Sequence, residues 1–156
     1  MADAAIKELI DKAAIRDAMV RYSRGIDRHD PDLIAASLTP DAHVHYGGWE
    51  DQGADNIVKR LMTRITRYDT HTHFMGDQEI QLNGDSADVE TYAIIYIVYT
   101  VEGTQYLSTG GIHYEDRMAR FNGEWRIQNR IVHSDWRRKA KVDDSIPGAD
   151  RLPILE

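Results

Sequence analysis

Residues 71–136 read HTHFMGDQEIQLNGDSADVETYAIIYIVYTVEGTQYLSTGGIHYEDRMARFNGEWRIQNRIVHSDW, and this run decides the fold. Asn83-Gly84 and Asn122-Gly123 are strong hairpin signals, because a tight turn between right-twisted strands needs positive φ, which Asn and Gly adopt at low cost. Glu102-Gly103-Thr104 supplies a third connection. The turns cut the run into four strands in meander order, over 71–82, 86–102, 104–121 and 124–136. Strands of this length exceed the usual five or six residues, and a long antiparallel sheet must twist and coil. From Ala93 to Val101 both parities are apolar or aromatic, so both faces of that strand are expected to be covered, one by helices and the other by a partner subunit. Gly110-Gly111 marks a bend or bulge where the curvature is strongest.

Working outward from the sheet, the first third of the chain reads as helix. Ile6 and Ile10 begin an apolar recurrence at three- to four-residue steps that continues through Ile15, Met19 and Ile26, with closure expected at Gly25 and the HDP sequence at 29–31. Asp30-Pro31 is an N-cap followed by a first-turn proline, and predicts a short helix through Leu38 that Thr39-Pro40 stops. Ala42 to Tyr46 then reads as a strand, and Ile57, Leu61 and Ile65 form one stripe of a third helix over 54–65. The reading is α+β: one domain over 1–140, with an irregular C-terminal tail over 141–156 and no regular pattern after Trp136.

Composition narrows the chemistry. The 156 residues carry 19 Lys and Arg against 26 Asp and Glu, a net charge of −7, which disfavours a nucleic-acid backbone as partner. No stretch reaches the roughly 18 apolar residues that span a bilayer, and the N-terminus lacks a signal-peptide pattern, so a cytoplasmic protein is expected. With no cysteine, thiolate chemistry and Cys-ligated metals are excluded, leaving His, carboxylates, Tyr and Arg. His43-x-His45 with Glu50 places alternate strand residues on one face and echoes part of a cupin metal motif, but the rest of that motif is missing and an exposed strand rim is the simpler reading. His71-x-His73 has the same spacing without a carboxylate at ligand distance in sequence, His29 reads as solvated, and His113 and His133 read as hydrogen-bonded sheet residues.

Tyr22, Asp27 and His73 form a second constellation. A sheet curling around the first helix brings His73 to that helix's end, where a carboxylate accepting one imidazole N–H would fix the tautomer and raise the basicity of the other nitrogen. Tyr22 and Asp27 lie five residues apart, about 140° around an ideal helix, so their convergence requires a frayed helix end near Gly25. Spacing alone leaves Tyr22 a packed residue and Asp27 a solvated charge.

Further motifs bear on this choice: Ala14-Ile15-Arg16-Asp17, then Tyr22, Asp27 and Asp30, Leu38 and Asp41, Gly53, His73-Phe74-Met75-Gly76-Asp77, and Gly123-x-Trp125-Arg126-Ile127 with Arg130. In order and spacing the chain resembles the SnoaL-like branch of the nuclear transport factor 2-like superfamily over residues 5–136. The resemblance implies a cone-shaped barrel, with N-terminal helices inside a strongly bent antiparallel sheet, a pocket at the open end and a homodimer through the outer face. It extends to bile acid 7α-dehydratase, scytalone dehydratase and hexachlorocyclohexane dehydrochlorinase, and implies a cofactor-independent lyase, of dehydratase type, acting on a hydrophobic cyclic or aromatic small molecule. On that basis His73 is the general base, Asp27 its orienting partner, Tyr22 an aid to the leaving group and Arg130 a stabiliser of developing negative charge. Tyr92 and Tyr96 are candidates for the pocket wall, and His113 for the second histidine of the scytalone enzyme. The strand aspartate of the bile acid enzyme has no counterpart in Thr91 to Tyr96. Isomerase, polyketide-cyclase and carbon–carbon lyase activities on the same dyad, or ligand binding without chemistry, are the alternatives; a base, an orienter and a polariser need neither metal nor cofactor.

Overall fold

The structure, a computed structural model, describes residues 2–142. Helix α1 (Ala2–Asp27) and the short α2 (Pro31–Ala36) lead into strands β1 (Leu38–Tyr46) and β2 (Trp49–Gln52), then helix α3 (Ala54–Ile65). The meander follows as β3 (Thr70–Asn83), β4 (Ser86–Val101), β5 (Thr104–Phe121) and β6 (Glu124–Lys141). All six strands form one curved, unclosed sheet in the order β2-β1-β6-β5-β4-β3. β1 joins β6 in parallel, whereas every other pairing is antiparallel. This is the α+β arrangement expected, a sheet curved around helices.

Two of the three turns form where the sequence places them, whereas the first sits one residue later, at Gly84-Asp85, with Asn83 still paired to Ser86. Glu102 and Gly103 take φ of 49° and 76°, and Asn122 and Gly123 take 51° and 84°, the paired positive angles that a two-residue hairpin requires. The Gly110-Gly111 expectation also holds, since the β5–β6 register shifts between Gly111 and Ile112. At Gly111 the indole of Trp136 occupies the space a side chain would need: a Cβ there would stand 2.1 Å from the indole Nε1.

Several boundaries differ from expectation. α1 does not close at Gly25 but runs unbroken to Asp27, and His29, at φ 53°, makes the turn. Gly25 serves close packing instead, because a Cβ there would lie 2.7 Å from Ile34 Cγ1 and 2.9 Å from Ile34 N. Asp30 caps α2 as expected, accepting from the amides of Asp32 and Leu33 at 3.0 and 3.1 Å. That helix ends at Ala36, however, and Leu38 already belongs to β1. The amide of Ile127 on β6 captures the Ser37 carbonyl at 2.8 Å, so sheet pairing takes over before Pro40, which sits in the interval between the Leu38 and His43 pairings. β6 continues past Trp136 to Lys141, because β5 offers partners up to Tyr106; the rest of the expected irregular tail lies outside the described residues. Ile6 and Ile10 are exposed along with all of residues 3–10, so the buried side of α1 starts at Asp11.

The core lies between the concave face of the sheet and the helices. Ile15, Ala18, Met19 and Tyr22 of α1 meet Met118, Trp125 and Ile127 of the sheet, and Ile57, Leu61 and Ile65 of α3 form the expected buried stripe. Along β4 the period-two rule sorts the strand: Val89, Thr91 and Ala93 are buried, while Tyr92 and Tyr96 are 52% and 40% exposed.

Candidate functional site

The open end of the curved sheet encloses a cavity of about 490 Å³, within the range of small-molecule sites. Its wall is largely apolar, with Ile26 from α1, Leu61 and Ile65 from α3, and Ile95, Ile97, Ile112 and Val132 from the strands. The polar groups come from separate elements: Tyr22 of α1, Tyr46 of β1, Arg64 of α3 with Tyr68 just after it, His71 and His73 of β3, Tyr114 of β5, and Ser134 and Arg137 of β6.

His73 Nδ1 lies 2.6 Å from Asp27 Oδ1, and the His73 amide donates to Asp27 Oδ2 at 3.1 Å. Both carboxylate oxygens are therefore committed to one residue, which fixes the position of the imidazole and its Nδ1–H tautomer and leaves Nε2 as the basic nitrogen. Burial works to raise the Asp27 carboxyl, but the hydrogen bonds and charge of His73, with a contribution from His71, outweigh it and hold the group below its usual value. Asp27 is thus a carboxylate at neutral pH. No frayed helix end is needed, because the sheet rather than the helix does the converging: β3 crosses the end of α1 and delivers His73 to Asp27, while Tyr22, one turn earlier, faces the cavity from within the core.

The Tyr22 hydroxyl shares a 2.5 Å hydrogen bond with that of Tyr46. Tyr46 also stacks on Trp49, with ring centroids 4.7 Å apart. Burial, with Tyr22 and Tyr114 beside it, pushes the Tyr46 phenol well above its ordinary value, so it remains a neutral donor. His71 Nδ1 faces His29 Nε2 at 3.3 Å. Burial first, then the neighbouring His29 and His73, lower His71 to about 4, so it is a neutral imidazole at physiological pH.

The other candidates fall elsewhere. Arg130 does not line the cavity. Its side chain is fully buried and forks onto Asp116 through two 2.7 Å hydrogen bonds, and its guanidinium is sandwiched between the rings of Tyr22 and Tyr114 at 4.3 and 4.1 Å. It stacks on the cavity tyrosines Tyr22 and Tyr114, and the arginines that reach the cavity wall are Arg64 and Arg137. Tyr92, Tyr96 and His113 lie on the convex face, with Tyr92 and His113 rings 5.4 Å apart, so none forms the pocket wall. The alternation that turns Ala93 and Ile95 inward turns Tyr92 and Tyr96 outward. His43 and Glu50 approach only to 3.7 Å, and among the described residues the three ligand-type side chains that do cluster are His113, Glu115 and His133.

Among the polar cavity residues that sequence reasoning missed are Tyr46, His71 and Arg137. Alternation signalled the first two: Ala42, Val44 and Tyr46 share one face of β1, and His71 shares the face of His73. Arg137 lay in the stretch read as irregular.

A SnoaL-like domain matches residues 7–131, and the chain belongs to that family. An uncharacterized protein of Mycobacterium tuberculosis strain H37Rv is 27% identical over 128 residues, covering 81% of this chain and 86% of that protein. Among solved structures, a candidate scytalone dehydratase from Novosphingobium aromaticivorans superposes with a TM-score of 0.77 at 23% identity, over 92% of this chain and 94% of that one. The hexachlorocyclohexane dehydrochlorinase LinA-type3 from Novosphingobium barchaimii superposes with a TM-score of 0.74 at 14% identity, over 90% and 95%. At these identities the two structures bear on the fold, which is that of the nuclear transport factor 2-like superfamily. Among the described residues no helix is long and apolar enough to cross a membrane.

Proposed function

We propose that the protein is a cofactor-independent lyase that removes a proton from carbon and expels a β leaving group, most simply water, from a hydrophobic cyclic or aromatic small molecule. The observation that carries this reading is the 2.6 Å Asp27–His73 contact on the wall of a largely apolar cavity. His73 Nε2 takes the proton from carbon, the C–H electrons become the new double bond, and the leaving oxygen departs with its bonding pair and takes the proton back from His73 as water. Asp27 stabilises the imidazolium that forms, as a buried carboxylate does for a catalytic histidine. The Tyr22–Tyr46 pair supplies a hydroxyl donor for the leaving oxygen, and Tyr46, held neutral by burial, keeps its proton available for that purpose. Arg130 acts through Tyr22, by stacking on its ring.

The test begins with a screen of hydroxylated cyclic and aromatic compounds for elimination. In a folded Asp27→Asn protein turnover should collapse, because the amide keeps the shape but loses the charge and can impose the wrong tautomer. His73→Ala should cost about 10²- to 10⁴-fold, and the double variant should lose little beyond the worse single one, since the two groups act as a unit. Full activity in a folded His73→Ala protein would end this reading.

A further inference from the structure

On the convex face, away from the cavity, β5 and β6 place a second set of chemistry-bearing side chains. His113 and His133 are directly opposed across the two strands, and their rings stack with centroids 4.4 Å apart and planes 9° apart. Glu115 lies two residues along β5 and so shares their face. One ligand atom from each of His113, Glu115 and His133 falls within 4.8 Å of the others.

Two further contacts distinguish this group from a chance surface cluster. His133 Nε2 is shielded from solvent yet has no hydrogen-bond partner, with Glu115 Oε1 3.4 Å away but poorly aligned to accept from it. A shielded imidazole nitrogen without a partner is costly unless something else satisfies it. His113 Nδ1, in turn, lies 2.8 Å from Asp135 Oδ1. A carboxylate on Nδ1 fixes the proton there and turns Nε2 into a lone-pair donor, which is the outer-shell arrangement of metal-bound histidines.

We infer that His113, His133 and Glu115 bind one divalent transition-metal ion of the zinc, nickel or copper kind, with Asp135 as the outer-shell partner that orients His113. Two imidazoles and a carboxylate suit borderline ions over magnesium or calcium, which require mostly oxygen ligands. The ligands come from one chain, and the remaining coordination positions face outward, since Glu115 and Asp135 are exposed. With His113 held by Asp135, binding turns the His133 ring about its Cβ–Cγ bond until the two lone pairs converge. The ion then ties β5 to β6 next to the register shift between Gly111 and Ile112. The sequence reads His133 as an ordinary hydrogen-bonded sheet residue; its orphaned Nε2 departs from that.

The experiment is calorimetric titration of zinc chloride into protein stripped with EDTA, repeated with nickel and with magnesium. One zinc per chain, binding of nickel, and no saturable uptake of magnesium are expected. His133→Ala should abolish the saturable phase, and Asp135→Asn, which touches no ion, should weaken it by about ten- to a hundred-fold. Circular dichroism confirms that each variant is folded, and His133→Gln, of similar size, serves where the alanine is not. A His43→Ala, His45→Ala variant should bind as the parent does. The proposal fails if stripped protein shows no saturable zinc binding, if His133→Ala and His133→Gln bind like the parent, or if the saturable phase is lost with His43 and His45.

Discussion

Removing the carboxylate of Asp116 should destabilise the protein more than any other single change to its polar core. Asp116 and Arg130 both have side chains of 0% exposure and are joined by two 2.7 Å hydrogen bonds. The remaining surroundings of the guanidinium are two tyrosine rings and the Met19 sulfur at 2.9 Å, and its Nη1 has no partner. Asp116→Ala therefore leaves a cation in an apolar slot, a situation that costs about 3–5 kcal/mol. The two stacking tyrosines contribute equally in the parent, so they do not offset this loss. The reverse change is milder. Arg130→Met leaves a buried carboxyl that escapes its charge by taking up a proton, as burial already pushes it upward, whereas a guanidinium has no such route. Replacing both, as Asp116→Leu with Arg130→Met, removes the charges together and should recover most of the loss.

Urea unfolding at pH 7 measures this through midpoints at constant slope. The order expected is Asp116→Ala least stable, Arg130→Met intermediate and the double variant nearest the parent. A loss below about 1 kcal/mol for Asp116→Ala, the level of a solvent-exposed pair, or a double variant no better than Asp116→Ala, would refute the view that Arg130 is a buried structural cation.

Two other outcomes follow from the same structure. His71 is lowered from 6.5 to about 4, so between those values the unfolded chain binds the extra proton and stability falls on acidification; the window is worth at most about 3 kcal/mol, less the screening by cavity water. Unfolding free energies measured from pH 7 to pH 4 should show this slope in the parent and a flatter one in His71→Gln; equal slopes would sink the assignment. The convex face carries Phe74, Tyr92, Tyr96 and Ile131, each at least 40% exposed, a patch of the kind that marks an interface. Sedimentation should therefore give twice the chain mass at micromolar concentration, with Phe74→Glu shifting it toward monomer, and a monomeric parent would refute the assignment of this face.

The sheet was legible because its signals are local. Asn122-Gly123 and Glu102-Gly103 fix their turns by backbone angles that few residue types accept, and the strands between them inherit their register from those turns. What escaped was set by distant partners. Leu38 reads as helix when only its neighbours are weighed, and becomes strand because Ile127, some ninety residues later, offers it a hydrogen-bonding edge. The end of β6 is similar: Arg137 to Lys141 have no alternation of their own and are extended because Tyr106 to Gly110 need partners. Gly25 shows a third case, in which a residue that ends helices by intrinsic preference remains inside one because Ile34 requires its missing Cβ.

The site divides along the same line. Asp27 and His73 are identifiable as residue types with a possible chemistry, but only the curvature of β3 over α1 joins them, and curvature is a sum over many strand pairs that no motif states. Arg130 is the instructive case. An arginine on a strand next to a ligand cavity invites an electrostatic role, and its parity does point inward, yet what decides its task is Asp116, fourteen residues earlier and directly opposite across the β5–β6 pair. Once both prongs of the guanidinium are committed there, the charge is neutralised before it reaches the cavity, and its remaining influence is through the faces of Tyr22 and Tyr114. Inward parity is therefore a necessary condition for a site residue, and the partner across the strand determines whether the side chain serves the ligand or the scaffold.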